Sequence, residues 1–371
     1  MAEHQQDDLS YRARRYSCLK YTLAIADTAY TAVLLLTFLN SGASKGLALW
    51  LAKTTSNNYL TACLYVLISS VFYCVLMLPL NFYGSHVLEH KFGLSQQKII
   101  DWLNDQLKAW VIFYIIAMIL VNAFYYILRH YITTWWLIVS LFWIFLSLIL
   151  ARLTPMVIIP LFFKYTRLSD GALRDKILRL SEKMRIKILD VFQIDFSKKT
   201  LKANAAFVGM GKTRRVILAD TLKDKYTDEE IEVILAHEFA HYRLKHLFKL
   251  ISLNSVVTMV TFYLVFISGD YVLSVFGFRS LWDIAALPVI LLYFIILGTL
   301  SQPLQAFISR KFEKNADIMA LKITGLKQAF ISMMEKLSLQ NLADRNPHPL
   351  IKFYFFDHPS VDERIALAKS F

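Results

Sequence analysis

Thr227-Asp228-Glu229-Glu230-Ile231-Glu232-Val233-Ile234-Leu235-Ala236-His237-Glu238-Phe239-Ala240-His241 reads as a capped helix that ends in reactive groups. Thr227 with Glu230 three residues on is a capping box, in which each side chain takes up one otherwise unpaired backbone N–H. Ile231, Val233, Ile234 and Leu235 supply an apolar face behind it. On a helix, positions i and i+4 share one side, so His237 and His241 can both aim an imidazole at one metal ion. Glu238, beside the first histidine, is then placed to take a proton from a water on that metal.

A tetrahedral catalytic zinc takes three protein ligands and leaves a fourth place for water. The best candidate for the third is Glu313, in Ser309-Arg310-Lys311-Phe312-Glu313-Lys314-Asn315-Ala316-Asp317. Asp317 lies one turn further on the same face, where a carboxylate can orient a ligating imidazole. Read from the residues alone, this segment fits equally an ordinary charged helix with surface ion pairs. His246 follows His241 by five residues, about 140° round a continuous helix, and reads as an interfacial residue and not a ligand. His86 and His90 read as surface histidines.

Outward from the motif, the chain is unusually apolar. Of its 371 residues 56% are hydrophobic and 19% charged, against about 25% charged in a typical soluble domain. Six runs are long enough to cross a bilayer, near 21–40, 60–82, 109–128, 132–153, 249–268 and 284–306. Asp27 inside the first run either faces the bundle interior or stays wet near the interface. The net charge of +13 raises the question of nucleic acid, but the basic residues are interleaved with acidic ones and cluster at the ends of the apolar runs. They gather at one set of ends (Arg12, Arg14 and Arg15; Lys91 and Lys98; Lys164 and Arg167; Arg243 and Lys245; Arg310, Lys311 and Lys314) and are sparse at the other (Lys45, Lys53, Arg129, Arg279). The first set should be cytosolic, with both termini and the active site. That membrane is the endoplasmic reticulum in a eukaryote and the cytoplasmic membrane in a bacterium. The expected partners are a polypeptide and the lipid bilayer, with no nucleic acid. Cys18, Cys63 and Cys74 have no metal-like spacing and read as small hydrophobes.

The expected organisation is a membrane region over 1–163 with four spans, a zinc protease core over 164–248, two further spans over 249–306, and a C-terminal region over 307–371. The core should hold an amphipathic helix at 171–187 and short strands at 189–195, 203–208 and 214–219. The last two strands are joined by a hairpin-like Gly209-Met210-Gly211-Lys212. The fold class is thus a mainly α-helical polytopic membrane protein, with about six transmembrane helices and a cytosolic α+β zinc protease domain of gluzincin type.

Several motifs together resemble the type I integral-membrane CAAX prenyl endopeptidases, gluzincins related to the stress-response protease HtpX. They are Asn204-Ala205-Ala206-Phe207, His237-Glu238-x-x-His241, Glu313-x-x-Ala316-Asp317 and His358-Pro359-Ser360-x-x-Glu363-Arg364. Tyr83, Lys91-Phe92-Gly93-Leu94-Ser95 and Pro160-Leu161-Phe162 also match, so the resemblance runs from about residue 60 onward. It implies one zinc ion per chain on His237, His241 and Glu313, with Glu238 as catalytic base and Asp317 as a partner behind the ligands. It also implies that Asn204, Ala205, Ala206 and Phe207 form an edge strand pairing with the substrate backbone. His358 and Arg364 would stabilise the oxyanion. Without the resemblance His358 is simply a loop histidine before proline. Eukaryotic members carry seven spans, so six imply a smaller or more open intramembrane chamber.

The implied activity is hydrolysis near the C-terminus of prenylated or membrane-associated polypeptides. An HtpX-like quality-control protease of membrane proteins is the alternative. A transporter with an incidental metal site and a metal-free pseudoprotease are the rivals from other classes. Few intramembrane charges favour the first, and the intact His237, Glu238, His241 and Glu313 argue against the second.

Overall fold

The computed structural model describes residues 2–209, 214–223 and 225–371, with side chains from residue 9 onward. Among the described residues six helices are long and apolar enough to span a membrane: Leu9–Asn40, Asn58–Lys91, Ile99–His130, Trp135–Phe162, His246–Val275 and Ile284–Thr324. All six expected runs are therefore present, and most extend beyond the apolar stretch that revealed them. The first four belong to α1 (Ala2–Asn40), α3 (Asn58–Phe82), α4 (Ile99–His130) and α5 (Trp135–Leu153). A shorter helix, α2 (Ala43–Thr54), lies between α1 and α3.

These helices turn apolar side chains outward. Ile25, Val33, Phe72, Val75, Leu300 and Leu304 are each more than half exposed, as lipid-facing residues must be. Their ends are sorted. The Ser44 hydroxyl donates to the Ala285 carbonyl and Lys45 to the carbonyls of Phe276 and Gly277, joining the start of α2 to the connection between the fifth and sixth spans at one end of the bundle. At the other end, Leu201 and Thr200 donate to the Leu94 carbonyl, and Lys202 pairs with the buried Glu89, tying the loop after the second span to the polar region. His86 is not a surface residue. It is buried and stacked on Phe82, because a π-helical turn at Tyr83–Val87 rotates it inward.

The polar region is built round a four-stranded sheet of β1 (Tyr165–Arg167), β2 (Val191–Ile194), β3 (Ala205–Val208) and β4 (Arg215–Ala219), in the order β1-β2-β4-β3. β2 runs parallel to β4, and β3 pairs antiparallel with β4 in the register Ala205–Leu218 to Val208–Arg215. The hairpin connection beyond Gly209 lies outside the described residues. β1 is a three-residue strand that gives no sequence signal. The amphipathic helix is α6 (Ala172–Lys183), shorter than the 171–187 expected because Met184 and the left-handed Arg185 end it.

α7 (Asp228–Arg243) opens with the capping box in place: the Glu230 amide donates to the Thr227 hydroxyl and the Thr227 amide to the Glu230 carboxylate. α8 (His246–Val275) is the fifth span. α9 (Leu287–Thr324) carries the sixth span straight out into the polar region, as the apolar-to-charged gradient along it requires. The core under the sheet joins Val191, Val216 and Leu218 to Val233, Leu235, Ala236 and Phe239 of α7, Ala316 and Ala320 of α9, and Phe330 and Met333 of α10 (Lys327–Gln340). Each large side chain buried there contributes about 1.5–3 kcal/mol. That packing fixes α7 against α9. α11 (Pro349–Phe355) and α12 (Val361–Lys369) complete the chain.

Candidate active site

α7 and α9 cross so that three side chains converge. His237 Nε2 lies 3.0 Å from His241 Nε2 and 3.2 Å from Glu313 Oε2, and His241 Nε2 lies 3.1 Å from Glu313 Oε1. All three candidate ligand atoms are within 4.8 Å of one another. Ligands about 2.0–2.2 Å from a tetrahedral centre stand about 3.3 Å apart, so this triangle has the size that such an ion requires. Two imidazole nitrogens this close, with a carboxylate completing the triangle, also form a donor set that a cation satisfies and an apolar contact does not. The residues fit a metal.

Behind the ligands lies a second set. His237 Nδ1 is 2.8 Å from Asp317 Oδ1, and Asp317, fully buried, is gripped at both oxygens by Arg364 through Nε at 2.8 Å and Nη2 at 2.5 Å. Arg364 Nη2 also comes within 3.4 Å of His237 Nδ1. Arg364 thus stands on the Nδ1 side of His237, the side away from Glu313 and His241, where it holds Asp317. Burial alone would lower the His237 pKa, but Asp317 and then Glu313 outweigh it and raise it to about 9. Burial likewise works against the Arg364 charge, and Asp317 more than restores it.

Glu238 is half-buried on α7, within electrostatic reach of His237, His241, Glu313 and His358. Burial pushes its carboxyl above the ordinary carboxylate range, although the two imidazoles pull the other way. A carboxylate raised toward neutrality is a better proton acceptor at working pH. His358 Nδ1 lies 2.6 Å from Glu313 Oε2, with 53% of its side chain open to solvent. Burial would lower its pKa, yet the Glu313 carboxylate outweighs this and raises it. His358 is therefore a hydrogen-bond donor facing the accessible side of the ligand triangle.

Its position follows from the segment around it. Ser360 and Glu363 form a second capping box that opens α12, an S-x-x-E pattern legible in the sequence as a helix start. Lys352 pairs with Glu363, and Arg310, one turn before Glu313, donates to the carbonyls of Lys352 and Phe356. The residues that bracket His358 are thus tied to the helix that carries Glu313.

β3 is the edge of the sheet, with β4 on one side and no strand among the described residues on the other. Phe207 packs edge-on against Phe239 and Tyr242 of α7, with ring centroids 5.1 and 5.3 Å apart. Ala205 packs beside it on the core, and Asn204, exposed, precedes the strand and accepts a hydrogen bond from the Ala219 amide through its carbonyl. A strand edge with no strand partner among the described residues thus lies against the helix that bears the two histidines.

His246 departs from its expected place. It is 2% exposed, and its Nδ1 is 3.1 Å from His241 Nδ1. The 140° estimate assumed one continuous helix. α7 instead ends at Arg243, Lys245 takes the left-handed conformation (φ 57°, ψ 34°), and α8 restarts at His246, which swings the ring back. Nothing in the residue types marks a lysine for that conformation.

Models of known families match both halves of the chain. Residues 167–371 match peptidase family M48, and residues 1–164 match a model described as CAAX prenyl protease N-terminal, five membrane helices. The chain belongs to peptidase family M48. Within it the chain falls among the CAAX prenyl endopeptidases, the family its motifs resemble, and it is a membrane metalloprotease of that kind. The M48 chain is 29% identical over 369 residues to the uncharacterised metalloprotease YhfN of Bacillus subtilis, covering 96% of itself and 84% of that protein. It is 30% identical over 310 residues to CAAX prenyl protease 1 of Saccharomyces cerevisiae, covering 78% and 67%. The crystal structure of S. mikatae Ste24p superposes with a TM-score of 0.88 at 25% identity, over 98% of this chain and 89% of that one. Where the N-terminal model describes five membrane helices, the described residues of this M48 chain hold four helices of spanning length and the shorter α2.

Proposed function

We propose that the chain is a zinc endopeptidase that removes the last three residues of the C-terminal CAAX motif of prenylated polypeptides, from the cytosolic face of its membrane. One observation carries the reading: the His237–His241–Glu313 triangle is sized for a tetrahedral ion, with His358 against Glu313 and Glu238 beside His237 on α7. His237, His241 and Glu313 would hold one zinc ion per chain. When bound, zinc lowers the pKa of its water from 15.7 to about 7 and polarises the scissile carbonyl.

The chain's own groups do the rest. The free edge of β3, from Asn204 through Ala205 and Ala206 to Phe207, pairs with the substrate backbone and lays it along α7. The Glu238 carboxylate accepts a proton from the attacking water and passes it to the leaving amine. His358 donates to the carbonyl oxygen as negative charge gathers there, a contribution of about 2.7–4 kcal/mol for a comparable single donor. Asp317 accepts the His237 Nδ1 proton and so fixes the tautomer that leaves Nε2 free to ligate. Arg364, occupied at both Asp317 oxygens, acts by holding that carboxylate. This assigns it a positioning role in place of the oxyanion role expected from the resemblance. The long basic flanks on the active-site end of the helices support the cytosolic side, and the interleaved charges give nucleic acid no single basic face.

Cleavage of a farnesylated CAAX peptide beside its unprenylated form, with the cut located by mass spectrometry, tests the substrate class. The proposal expects release of the terminal tripeptide from the farnesylated peptide at a rate at least tenfold higher. Equal rates, with cuts scattered along either peptide, would favour a quality-control protease instead.

A further inference from the structure

Each histidine of the ligand triangle ligates through one nitrogen and must dispose of the other. For His237 the other nitrogen meets Asp317. For His241, Nε2 points at His237 and Glu313, so Nδ1 points away, and the group that meets it is His246 Nδ1 at 3.1 Å. A neutral imidazole that gives its Nε2 lone pair to a metal carries its proton on Nδ1. His241 therefore donates and His246 accepts, and the metal itself decides the tautomer of both rings.

The structure assigns His246 as a positioning residue for the metal site: its Nδ1 accepts the His241 Nδ1 proton and holds that ring in its ligating orientation. The inference rests on the metal reading above. Three features fix the acceptor in place. Its ring is 2% exposed and stacked on Phe312 at 4.4 Å and 9°, and Phe312 immediately precedes Glu313. The left-handed Lys245 turns the backbone so that the first residue of α8 faces back onto α7. Its Nε2 has no hydrogen-bond partner among the described residues, so the Nδ1 contact is the polar contact that orients the ring.

The two ligands are then supported differently. His237 leans on an anionic carboxylate already neutralised by Arg364, while His241 leans on a neutral ring. A fourth carboxylate, behind His241, would add negative charge to a site that already holds Glu238, Glu313 and Asp317. A neutral acceptor orients the ring without that cost.

Zinc titration of the full-length protein in detergent, stripped with chelator and competed against a chromophoric chelator, tests this without reference to activity. His246→Phe keeps the stack on Phe312 and removes the acceptor, so its zinc affinity should fall about 10–100-fold, with the melting temperature of the metal-free protein unchanged. His246→Asn sets an amide oxygen near the position of Nδ1 and should retain affinity within about threefold, whereas His246→Gln reaches the Nε2 position and should not. Wild-type affinity in His246→Phe overturns the assignment. Should that variant fail to fold, the Asn and Gln variants decide, and equal affinities in those two overturn it. A wild-type protein that binds no zinc overturns the metal reading and this inference together, whereas zinc bound equally by wild type and His246→Phe overturns this inference alone.

Discussion

Along the first membrane helix only 6% of the most apolar window is buried inside the protein, whereas in α7 Ile231, Val233, Leu235, Ala236, Phe239 and Ala240 are at most 1% exposed. Both helices carry apolar residues, yet the surroundings they were selected for differ. The membrane helix gives its side chains to lipid, which tolerates any apolar shape. α7 is wedged between the sheet and α9, where the interior is close-packed and a single misplaced side chain shifts the ligands. The precision of the metal triangle is thus inherited from the soluble-type core, and the bilayer spans supply the frame that brings α9 back to it.

That contrast can be broken or sharpened by substitution. Phe239→Ala removes a fully buried ring that packs on Phe207 from the core side of α7, and should cost about 3–5 kcal/mol of stability. Leu300→Ala, at a position 71% exposed on the sixth span, should change it by less than about 0.5 kcal/mol. Thermal unfolding of both variants in the same detergent compares them. Equal losses would mean that the spans are packed as tightly as the core.

Asp317→Asn keeps the shape behind His237 and removes the charge. Zinc affinity should fall about 10–100-fold, read by competition with a chelator.

A smaller effect than that of Phe239→Ala concerns the start of α7. Burial alone would raise the Glu230 carboxyl, but Lys336 and then Ser332 hold it below the usual carboxylate range. A carboxyl depressed in the folded state contributes stability that is fully present above its unfolded value, near 4.5, and is lost as pH falls through its folded value. Glu230→Gln keeps the capping pattern without the charge. The acid side of the stability profile should therefore be flatter in the variant than in wild type, by up to about 1 kcal/mol.

Periodicity and composition made much of this legible. The six spans, the capped α7 and the shared face of His237 and His241 follow from local rules that hold whatever the tertiary structure. The 203–208 strand follows from its β-rich run, and Glu313 and Asp317 from their shared helix face. The choice of these carboxylates and the edge role of β3 rest mainly on motif resemblance, because nothing local says which carboxylate of a charged helix turns inward. The parallel pairing of β2 with β4, which leaves β3 at the edge, depends on contacts between strands far apart in sequence. His246 escaped for a different reason. Its place depends on one backbone conformation at Lys245, a residue type that rarely adopts it, and a continuous helix would send the ring to the other side. Arg364 was legible as a residue of the site, but its occupation by both oxygens of Asp317 was not.

The central claim is that His237, His241 and Glu313 hold a metal on which Glu238 acts as base. It is tested most directly by measuring peptide cleavage by Glu238→Gln at confirmed metal occupancy. The account predicts one zinc ion per chain, as in wild type, with cleavage reduced about 10²–10⁴-fold; cleavage at the wild-type rate by the zinc-loaded variant would contradict it.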